Sequence, residues 1–271
     1  MIKIVTDSTS DFTAKEIEDL AIDVVPLTVN FGEETFIDKL TISNEEFYER
    51  LANSAVMPVT SLSSPEAFSE VFRKYPEDDI VVITVAEKLS GTYQSALIAK
   101  DENNSSRIYV VESGNTTGGQ NLLVRQACLY RDQNLSAMEI VKKIESLKER
   151  LVLLAYIDTL KYLVKGGRLS AISGAIGGVL KVKPIVCLYK GVIESIAKTR
   201  GVKAGVSFMV EKTQLERDPA MPLIGIYSSD SSNLDLLYAE LKEDCISCSA
   251  GSVIGTHAGP NAVGIAYFKK L

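Results

Sequence analysis

Short apolar runs alternate with helix-like segments through the first half of this 271-residue chain. The strand-like runs cover residues 2–5, 24–29, 80–85 and 108–111. Strands that alternate with helices form βα units around a largely parallel sheet. The carboxyl ends of such strands lie at one edge of the sheet, where open α/β folds bind ligands. The pattern therefore predicts an α/β fold with a binding site at that edge.

Clusters of hydroxyl residues and glycines follow the strand-like runs. IKIV precedes TDSTSD, VVITVA precedes EKLSGTYQSA, IYVV precedes ESGNTTGG, and VTSLSSPEAF has the same chemistry. Because Ser, Thr and Asp are the preferred N-cap residues of helices, we interpret Ser64 and Asp11 as helix caps only. The LSGTYQSA loop differs, since Ser90 and Thr92 flank Gly91 and such a loop can bring backbone N–H groups close to an anion.

The second half of the chain is less regular. SAMEIVKKIESLKERL has the apolar spacing of an amphipathic helix, and the buried strand LVLLAYI follows it. Asp158 is placed to cap a helix TLKYLVK, which Gly166 and Gly167 end. KPIVCLY and VIESIAK predict a hairpin that turns at Lys190 and Gly191. A helix SNLDLLYAELKED and paired strands around SVIG and VGIAYF complete the predicted elements.

The only histidine of the chain, His257, lies in VIGTHAGPNAVG, and we place it in a glycine-rich loop directly after the SVIG strand. Histidine can hold an anion, shuttle a proton or bind a metal near neutral pH, and an ordinary loop histidine is the alternative. A zinc site with Cys245 and Cys248 has weak support, because structural zinc usually needs four ligands. We expect these cysteines to be partly buried free thiols.

Charge is distributed unevenly along the chain. The net charge of −6 argues against a general nucleic-acid binder. Residues 161–203 contain nine basic residues and one acidic residue, Glu194, whereas the rest of the chain contains 20 basic and 34 acidic residues. This basic segment is either an unevenly charged solvated face or a docking surface for a phosphate or an acidic partner.

Several classes of protein lack their usual signature here. An N-terminus that enters a strand at once, MIKIV, leaves no room for a signal peptide. No apolar stretch approaches the roughly 20 residues that span a bilayer, and the four cysteines have no framework spacing. We therefore expect a cytoplasmic protein. The sequence also has no phosphate loop, nucleophile elbow or dinucleotide fingerprint.

The chain contains six motifs, in this order and over nearly its whole length: TDSTSD, VTSLSSP, LSGTYQSA, DTLKYLVKGGRLS, GVLKVKPIV and GTHAGP. Together they closely resemble the DegV family. Characterised members of that family are the fatty-acid-binding subunits of bacterial fatty acid kinase. The resemblance implies a protein that holds one long-chain fatty acid and presents its carboxylate to a separate kinase subunit, which forms an acyl phosphate from ATP. It implies no cofactor, no metal and no catalysis by the isolated chain.

The resemblance also assigns site residues. It implies that Thr60, Ser61, Ser90 and His257, with the backbone at Gly91, surround the carboxylate. Two arginines, Arg168 of GGRLS and Arg200 of KTR, are implied in kinase docking or phosphoryl transfer. The chain departs from the family pattern in three places. Ala86 and Glu87 replace the usual serines before LSGTY, TSLSS replaces TSQPS, and HAGPNA replaces HxGPGA.

We expect two domains with a lipid site between or beneath them. A parallel-sheet α/β domain covers residues 1–150, and a mixed-sheet α/β lipid-binding domain covers residues 151–271, with the segment around 58–75 packing against it. An acyl chain needs a dry apolar tunnel, and we name as candidate walls Leu160, Leu163, Ile172, Ile176, Val179 and Leu180. A transient contact with a membrane surface would allow lipid exchange.

Two other functions stay open. The first is a self-sufficient hydrolase or phosphotransferase in which Ser90 or a neighbouring hydroxyl is the nucleophile and His257 is the base. It predicts turnover by the isolated chain. The second is a regulatory protein that senses a lipid and meets its partner through the basic segment.

Overall fold

The computed structural model describes residues 1–103, 106–168, 183–243 and 245–271. The strands are β1 Ile2–Asp7, β2 Ile22–Val25, β3 Thr28–Phe31, β4 Glu34–Ile37, β5 Val59–Ser61, β6 Asp79–Thr84, β7 Ile108–Glu112, β8 Leu151–Tyr156, β9 Lys183–Tyr189, β10 Val192–Thr199, β11 Ile224–Tyr227, β12 Ile246–Ser249 and β13 Val263–Phe268. The helices are α1 Ala14–Asp19, α2 Asn44–Asn53, α3 Pro65–Arg73, α4 Thr92–Glu102, α5 Thr117–Asp132, α6 Ala137–Lys148, α7 Lys161–Lys165, α8 Val202–Glu216, α9 Ser232–Leu241 and α10 Ser252–Ala258.

A four-stranded parallel sheet is built from the first half of the chain, in the order β2-β1-β6-β7. This confirms the parallel α/β arrangement that the alternating pattern predicts. The predicted run over residues 24–29 is split, however. Strand β2 ends at Val25, and the chain passes through Pro26 into β3 of a different sheet. Proline has no N–H to donate to a ladder, and the pairing of the edge strand β2 with β1 ends at Val25, just before it.

A six-stranded mixed sheet is built from the second half, in the order β10-β9-β8-β13-β11-β12. Only β11 and β12 pair in parallel. The predicted hairpin is confirmed, because β9 and β10 pair antiparallel around Lys190 and Gly191. Both turn residues have positive φ, 51° and 73°, as a tight two-residue hairpin turn requires. A third, antiparallel sheet has the order β4-β3-β5.

The parallel and mixed sheets share one hydrophobic core. Helix α5 lies between them and contacts strands of both. The core cluster includes Ile4 and Val111 of the parallel sheet, Leu122 of α5, and Leu153 and Ile226 of the mixed sheet. Gly118 lies so close to Ile226 that an added Cβ would be 2.6 Å from its side chain. The two sheets are thereby held at a fixed spacing, and a domain boundary at residue 150 stays a prediction.

Three local predictions are wrong in instructive ways. The SVIG segment begins helix α10 and is not a strand, so His257 lies in the last turn of a helix. Asp158 does not cap α7, since its carboxylate pairs with Lys183 Nζ at 2.7 Å. Asp11 does not cap α1, because Thr13 does so in a capping box with Glu16. Asp158 is taken by a long-range partner, whereas Asp11 loses the cap of α1 to a local capping box two residues further on.

Other local predictions are confirmed. Ser64 caps α3 ahead of Pro65, and Gly166 ends α7. Ser136 begins α6 in a capping box, within the segment predicted to be an amphipathic helix. Among the residues that the structure describes, no helix has both the length and the apolar character needed to cross a bilayer.

Candidate functional site

A largely apolar cavity lies between the parallel and mixed sheets, beyond the carboxyl ends of β1, β6 and β7. It contains about 970 Å³ of empty space, part of which is open to solvent. Its apolar walls include Val85, Leu89, Leu153, Ala155, Ile157, Leu163, Val186, Leu188, Ile193, Ile226, Val253, Ile254, Ala258, Ala262 and Val263. This is the edge of the parallel sheet at which the sequence pattern predicts a binding site.

The predicted tunnel walls are only partly within the described ranges. Leu163 lines the cavity. Leu160 packs beside it in a small apolar cluster with Ile157. Ile172, Ile176, Val179 and Leu180 lie outside the described residues.

His257 and Thr60 meet at the cavity wall. The Nε2 atom of His257 is 3.0 Å from Thr60 Oγ1, and both residues line the cavity. Because a neutral imidazole donates from only one nitrogen, a proton on Nε2 would make Thr60 Oγ1 an acceptor. The Thr60 hydroxyl proton would then be free for an anion in the cavity. Thr60 lies on β5 and His257 on α10, so two distant segments form this pair.

The imidazole is held from its other side by close backbone packing. A Cβ added to Gly166 would lie 2.2 Å from His257 Nδ1. Two residues further on, Gly259 ends α10 with φ at 76°, and Tyr162 packs against it with no room for a Cβ. Helices α7 and α10 therefore fit together through two glycines.

His257 is neutral at physiological pH in this environment. Burial, together with the positive charge of Arg168, lowers the pKa of His257 from 6.5 to about 4. Its Nδ1 atom is buried and has no hydrogen-bond partner within the described ranges. The imidazole can thus supply a hydrogen bond through Thr60, and the positive charge beside it belongs to Arg168.

Arg168 and Arg200 occupy different positions. Arg168 is half-buried and lines the cavity, where its Nε donates to the Leu89 carbonyl at 3.1 Å and its Nη1 to the Gly166 carbonyl at 2.7 Å. It forms no ion pair with any described residue. Arg200 is exposed, just before α8, and is not among the described residues of the cavity wall.

The LSGTY loop lies beside the cavity mouth. Leu89 lines the cavity, whereas Ser90 and Gly91 are not among its described lining residues. Ser90 Oγ is 2.9 Å from Thr92 Oγ1, at the start of α4. Gly91 lies against Leu62, with only 2.9 Å from an added Cβ to Leu62 Cδ2. The two hydroxyl-rich segments are therefore neighbours, although Ser90 and His257 are not hydrogen-bonded to each other.

Ser61 points away from His257. Adjacent side chains in a strand alternate between its two faces, so Thr60 and Ser61 of β5 cannot both face the cavity. Ser61 is exposed, and its Oγ accepts a hydrogen bond from Asn30 Nδ2 at 3.2 Å.

The residues that replace the usual serines before LSGTY have structural contacts. Ala86 is fully buried beneath the β9–β10 hairpin, 3.7 Å from the Cβ position of Gly191. Its carbonyl accepts the N–H groups of Leu89 and Ser90. Glu87 is exposed, and its N–H donates to Glu112.

Three threonines from two of the hydroxyl-rich sequence clusters line the cavity, although none of them was assigned a role from the sequence. Thr9 of TDSTSD and Thr116 and Thr117 of ESGNTTGG line the cavity. Thr116 Oγ1 is buried without a partner among the described residues, at the N-cap of α5. The signal that could have identified these threonines was their position directly after strands β1 and β7.

Neither Cys245 nor Cys248 is in a disulfide, in line with the expectation of thiols. Cys248 is buried, which raises the pKa of its thiol to about 12, and Cys245 is partly buried. Within the described ranges, no group of three or more His, Cys, Asp or Glu side chains is arranged to hold a metal ion.

Comparisons with known proteins agree along the whole chain. A family model described as "Uncharacterised protein, DegV family" matches residues 1–270. A DegV domain-containing protein of Caldanaerobacter subterraneus subsp. tengcongensis is 37% identical over 99% of both chains.

Solved structures extend the similarity to the fold. A DegV family protein from Thermus thermophilus, described for its fatty acid binding, superposes with a TM-score of 0.92 at 28% identity and 99% coverage of both chains. A stearic acid-binding protein from Eubacterium ventriosum gives a TM-score of 0.91 at 26% identity, over 100% of this chain and 99% of the other. The match of family model, sequence and fold leads to one conclusion: the chain belongs to the DegV family.

Proposed function

We propose that this protein binds a long-chain fatty acid in the cavity, with the carboxylate at Thr60, His257 and Arg168. The single observation that carries the proposal is the apolar cavity that ends at the hydrogen-bonded Thr60–His257 pair, with Arg168 beside it. Among the described residues, no carboxylate pairs with Arg168. The fatty acid binding described for structures of the same fold supports it.

The energetics favour this ligand class. Each methylene that leaves water for an apolar site contributes about 0.8 kcal/mol, so an acyl chain supplies most of the affinity. A carboxylate at the mouth needs hydrogen bonds or a positive partner, since an uncompensated buried charge is costly. Arg168 supplies the charge and Thr60 a hydroxyl, with Ser90 and the Gly91 backbone close by.

We further propose that the chain presents this carboxylate to a separate ATP-dependent kinase subunit. In that reaction a carboxylate oxygen attacks the γ-phosphorus of ATP, the bond to ADP breaks, and an acyl phosphate forms. The absence of nucleotide-binding motifs in the sequence and the exposed basic residues Lys161, Lys165, Lys198 and Arg200 support a division of labour. For the hydrolase alternative, the structure gives His257 as a hydrogen-bond partner to Thr60 and not to Ser90, whose Oγ pairs with Thr92, so that alternative would need Thr60 as its nucleophile.

The binding step is tested with matched ligands. Oleate and oleyl alcohol have the same hydrocarbon chain, so their affinities for the delipidated protein report carboxylate recognition alone. We expect oleate to bind at least tenfold more tightly at neutral pH. Equal affinities would contradict a carboxylate site at Thr60 and His257.

The kinase step is tested by charge reversal. Arg200→Glu changes an exposed residue outside the described cavity wall, so we expect normal fatty acid binding and loss of acyl phosphate formation with the kinase subunit. Arg168→Glu places a negative charge at the cavity and should weaken both fatty acid binding and acyl phosphate formation. A lipid sensor that has no kinase partner would give no acyl phosphate even with the wild-type chain, and a self-sufficient enzyme would give turnover without the kinase subunit.

A further inference from the structure

Helix α10, which carries His257, begins at a pair of buried carboxylates. The Gly251 N–H donates to Asp11 Oδ1 at 2.8 Å, and the Ser252 N–H donates to Asp38 Oδ1 at 3.1 Å. The Ser252 hydroxyl donates to the same Asp38 oxygen at 2.6 Å. The N-cap residue Gly251 has no side chain to cap the helix. The first N–H groups of α10 are satisfied instead by Asp11 and Asp38, which are far from it in the sequence.

This arrangement is more elaborate than a cap requires. Asp11 and Asp38 are both buried, and each has one carboxylate oxygen without a partner in the described part of the chain. Lys39 Nζ lies 3.1 Å from Asp11 Oδ1, and Asp11 and Lys39 both have left-handed backbones, with φ at 58° and 63°. Two buried carboxylates beside one ammonium are unfavourable unless their geometry is tightly fixed, whereas a serine or threonine suffices for most caps.

We infer that Asp11, Asp38 and Lys39 are positioning residues that fix helix α10 and, through it, the imidazole of His257 against Thr60. The inference rests on the proposed function, in which Thr60 and His257 hold the carboxylate. It assigns a role to the acidic residue that ends TDSTSD, which neither caps α1 nor lines the apolar cavity.

The connection between the Asp11–Asp38–Lys39 group and the imidazole of His257 is short and stiff. At 1.5 Å per residue, His257 lies about 8 Å along the helix axis from Ser252. Within the helix, Thr256 Oγ1 donates to the Ser252 carbonyl at 2.8 Å. Gly255 packs against the rings of Phe47 and Tyr48 with no space for a Cβ. A displacement at the start of α10 is therefore passed to its last turn, because the helix cannot absorb it by bending.

The only histidine of the chain gives a direct readout. In the full-length protein, long-range ¹H–¹⁵N NMR reports the tautomer and titration of one imidazole without any assignment step. We expect Asp38→Ala to move the pKa of His257 upward by at least one unit, because the displaced ring gains contact with water. We also expect the Kd for oleate to rise at least tenfold.

Ser252→Ala is the milder second variant, since it removes the hydroxyl bond to Asp38 and keeps the backbone bond. It should shift the His257 resonances in the same direction by a smaller amount. Ser136→Ala is the matched control, because it removes the cap of α6, which lies on another helix. It should lower Tm and leave the His257 titration and the Kd for oleate unchanged.

Two results would overturn the inference. One is a folded Asp38→Ala protein with the wild-type His257 titration; the other, if Asp38→Ala does not fold, is a folded Ser252→Ala protein with wild-type His257 resonances. The proposed function fails separately, if the wild-type protein binds no fatty acid. The His257 titration of the variants still decides the positioning role in that case.

Discussion

The hydrogen bond between His257 and Thr60 is the residue-scale feature on which the proposed carboxylate binding depends. It joins the last turn of α10 to strand β5, at a separation of 3.0 Å from Nε2 to Oγ1. The low pKa of His257, about 4, keeps the ring neutral at physiological pH. In the proposed complex, the anion receives hydrogen bonds from this pair and charge compensation from Arg168.

The first prediction removes the hydroxyl of this pair. Thr60→Val keeps the shape of the side chain, so we expect a loss of one hydrogen bond to a charged group, about 1.5–3 kcal/mol, or roughly 10- to 100-fold in the Kd for oleate. Thr60→Ser keeps the hydroxyl and should bind within a few-fold of wild type. Calorimetric titration measures both. A valine variant with wild-type affinity would show that Thr60 does not contact the carboxylate.

The second prediction concerns pH and stability. The pKa of His257 falls from 6.5 in the unfolded chain to about 4 in the fold, so the unfolded state binds the proton first as pH decreases. Stability is therefore lost as the pH falls below the unfolded value, and this contribution reaches about 3 kcal/mol near pH 4.

The comparison with His257→Gln isolates this effect. Burial raises the pKa of Asp11 to about 6, which has the opposite sign, because a proton taken up by the folded state stabilises it as pH falls. Asp11 is present in both proteins and cancels in the difference. Urea unfolding from pH 7 to pH 4 should show the wild type losing more stability than His257→Gln. Parallel pH profiles would mean that His257 titrates normally.

At the scale of secondary-structure elements, part of the candidate site could be predicted from the sequence and part could not. The LSGTY loop was identifiable because its motif follows an apolar run, and VTSLSSP was singled out by its hydroxyls, although strand β5 within it was not predicted. The structure places both segments side by side. Helix α10 was not identifiable, because Val253 and Ile254 have strand propensity. Its first N–H groups are satisfied by Asp11 and Asp38, whose proximity only the tertiary fold creates.

The same limit applies to individual side chains. Thr60 and Ser61 share a motif, yet strand alternation sends them to opposite faces, and the sequence alone does not say which one faces inward. Asp158 lies at a helix start, but Lys183 of β9 takes its carboxylate. Long-range partners decided these positions, and local patterns cannot contain them.

The third prediction tests the fit between α7 and α10. Gly166→Ala puts a Cβ 2.2 Å from His257 Nδ1, so the ring must move away from Thr60. We expect at least a tenfold rise in the Kd for oleate and a changed His257 NMR signal. Gly167→Ala is the control, because Gly167 has φ at 70° but no atom within 4 Å of its Cβ position. It should cost about 1 kcal/mol of stability with little change in affinity. Equal effects of the two variants would contradict the packing argument.

At the scale of the whole molecule, the cavity exists because two sheets are held apart by α5. Its floor includes Ala155 of β8, which pairs with Gly264 of β13 and Val186 of β9, and all three residues line the cavity. Small side chains on adjacent strands leave room for a ligand. The sequence predicted both sheets, but the spacing between them depends on contacts such as Gly118 against Ile226.

The fourth prediction narrows this floor. Ala155→Leu adds three carbons to the cavity, so it should displace about three methylenes of a long acyl chain, or about 2 kcal/mol of affinity. Short-chain acids should bind as before, which shifts the preferred chain length downward. Ala52→Leu makes the same change at an exposed position of α2 and should have no effect. Competition among saturated acids of different lengths measures the preference, and an unchanged preference would place the acyl chain elsewhere.

The most direct test of the central claim is mass spectrometry of the lipid extracted from the purified protein. A cavity that sheathes an acyl chain should retain its ligand through purification. We predict a long-chain fatty acid at close to one molecule per chain, or binding of added fatty acid at that stoichiometry after delipidation. A protein that yields no lipid and takes up no added fatty acid would contradict the account.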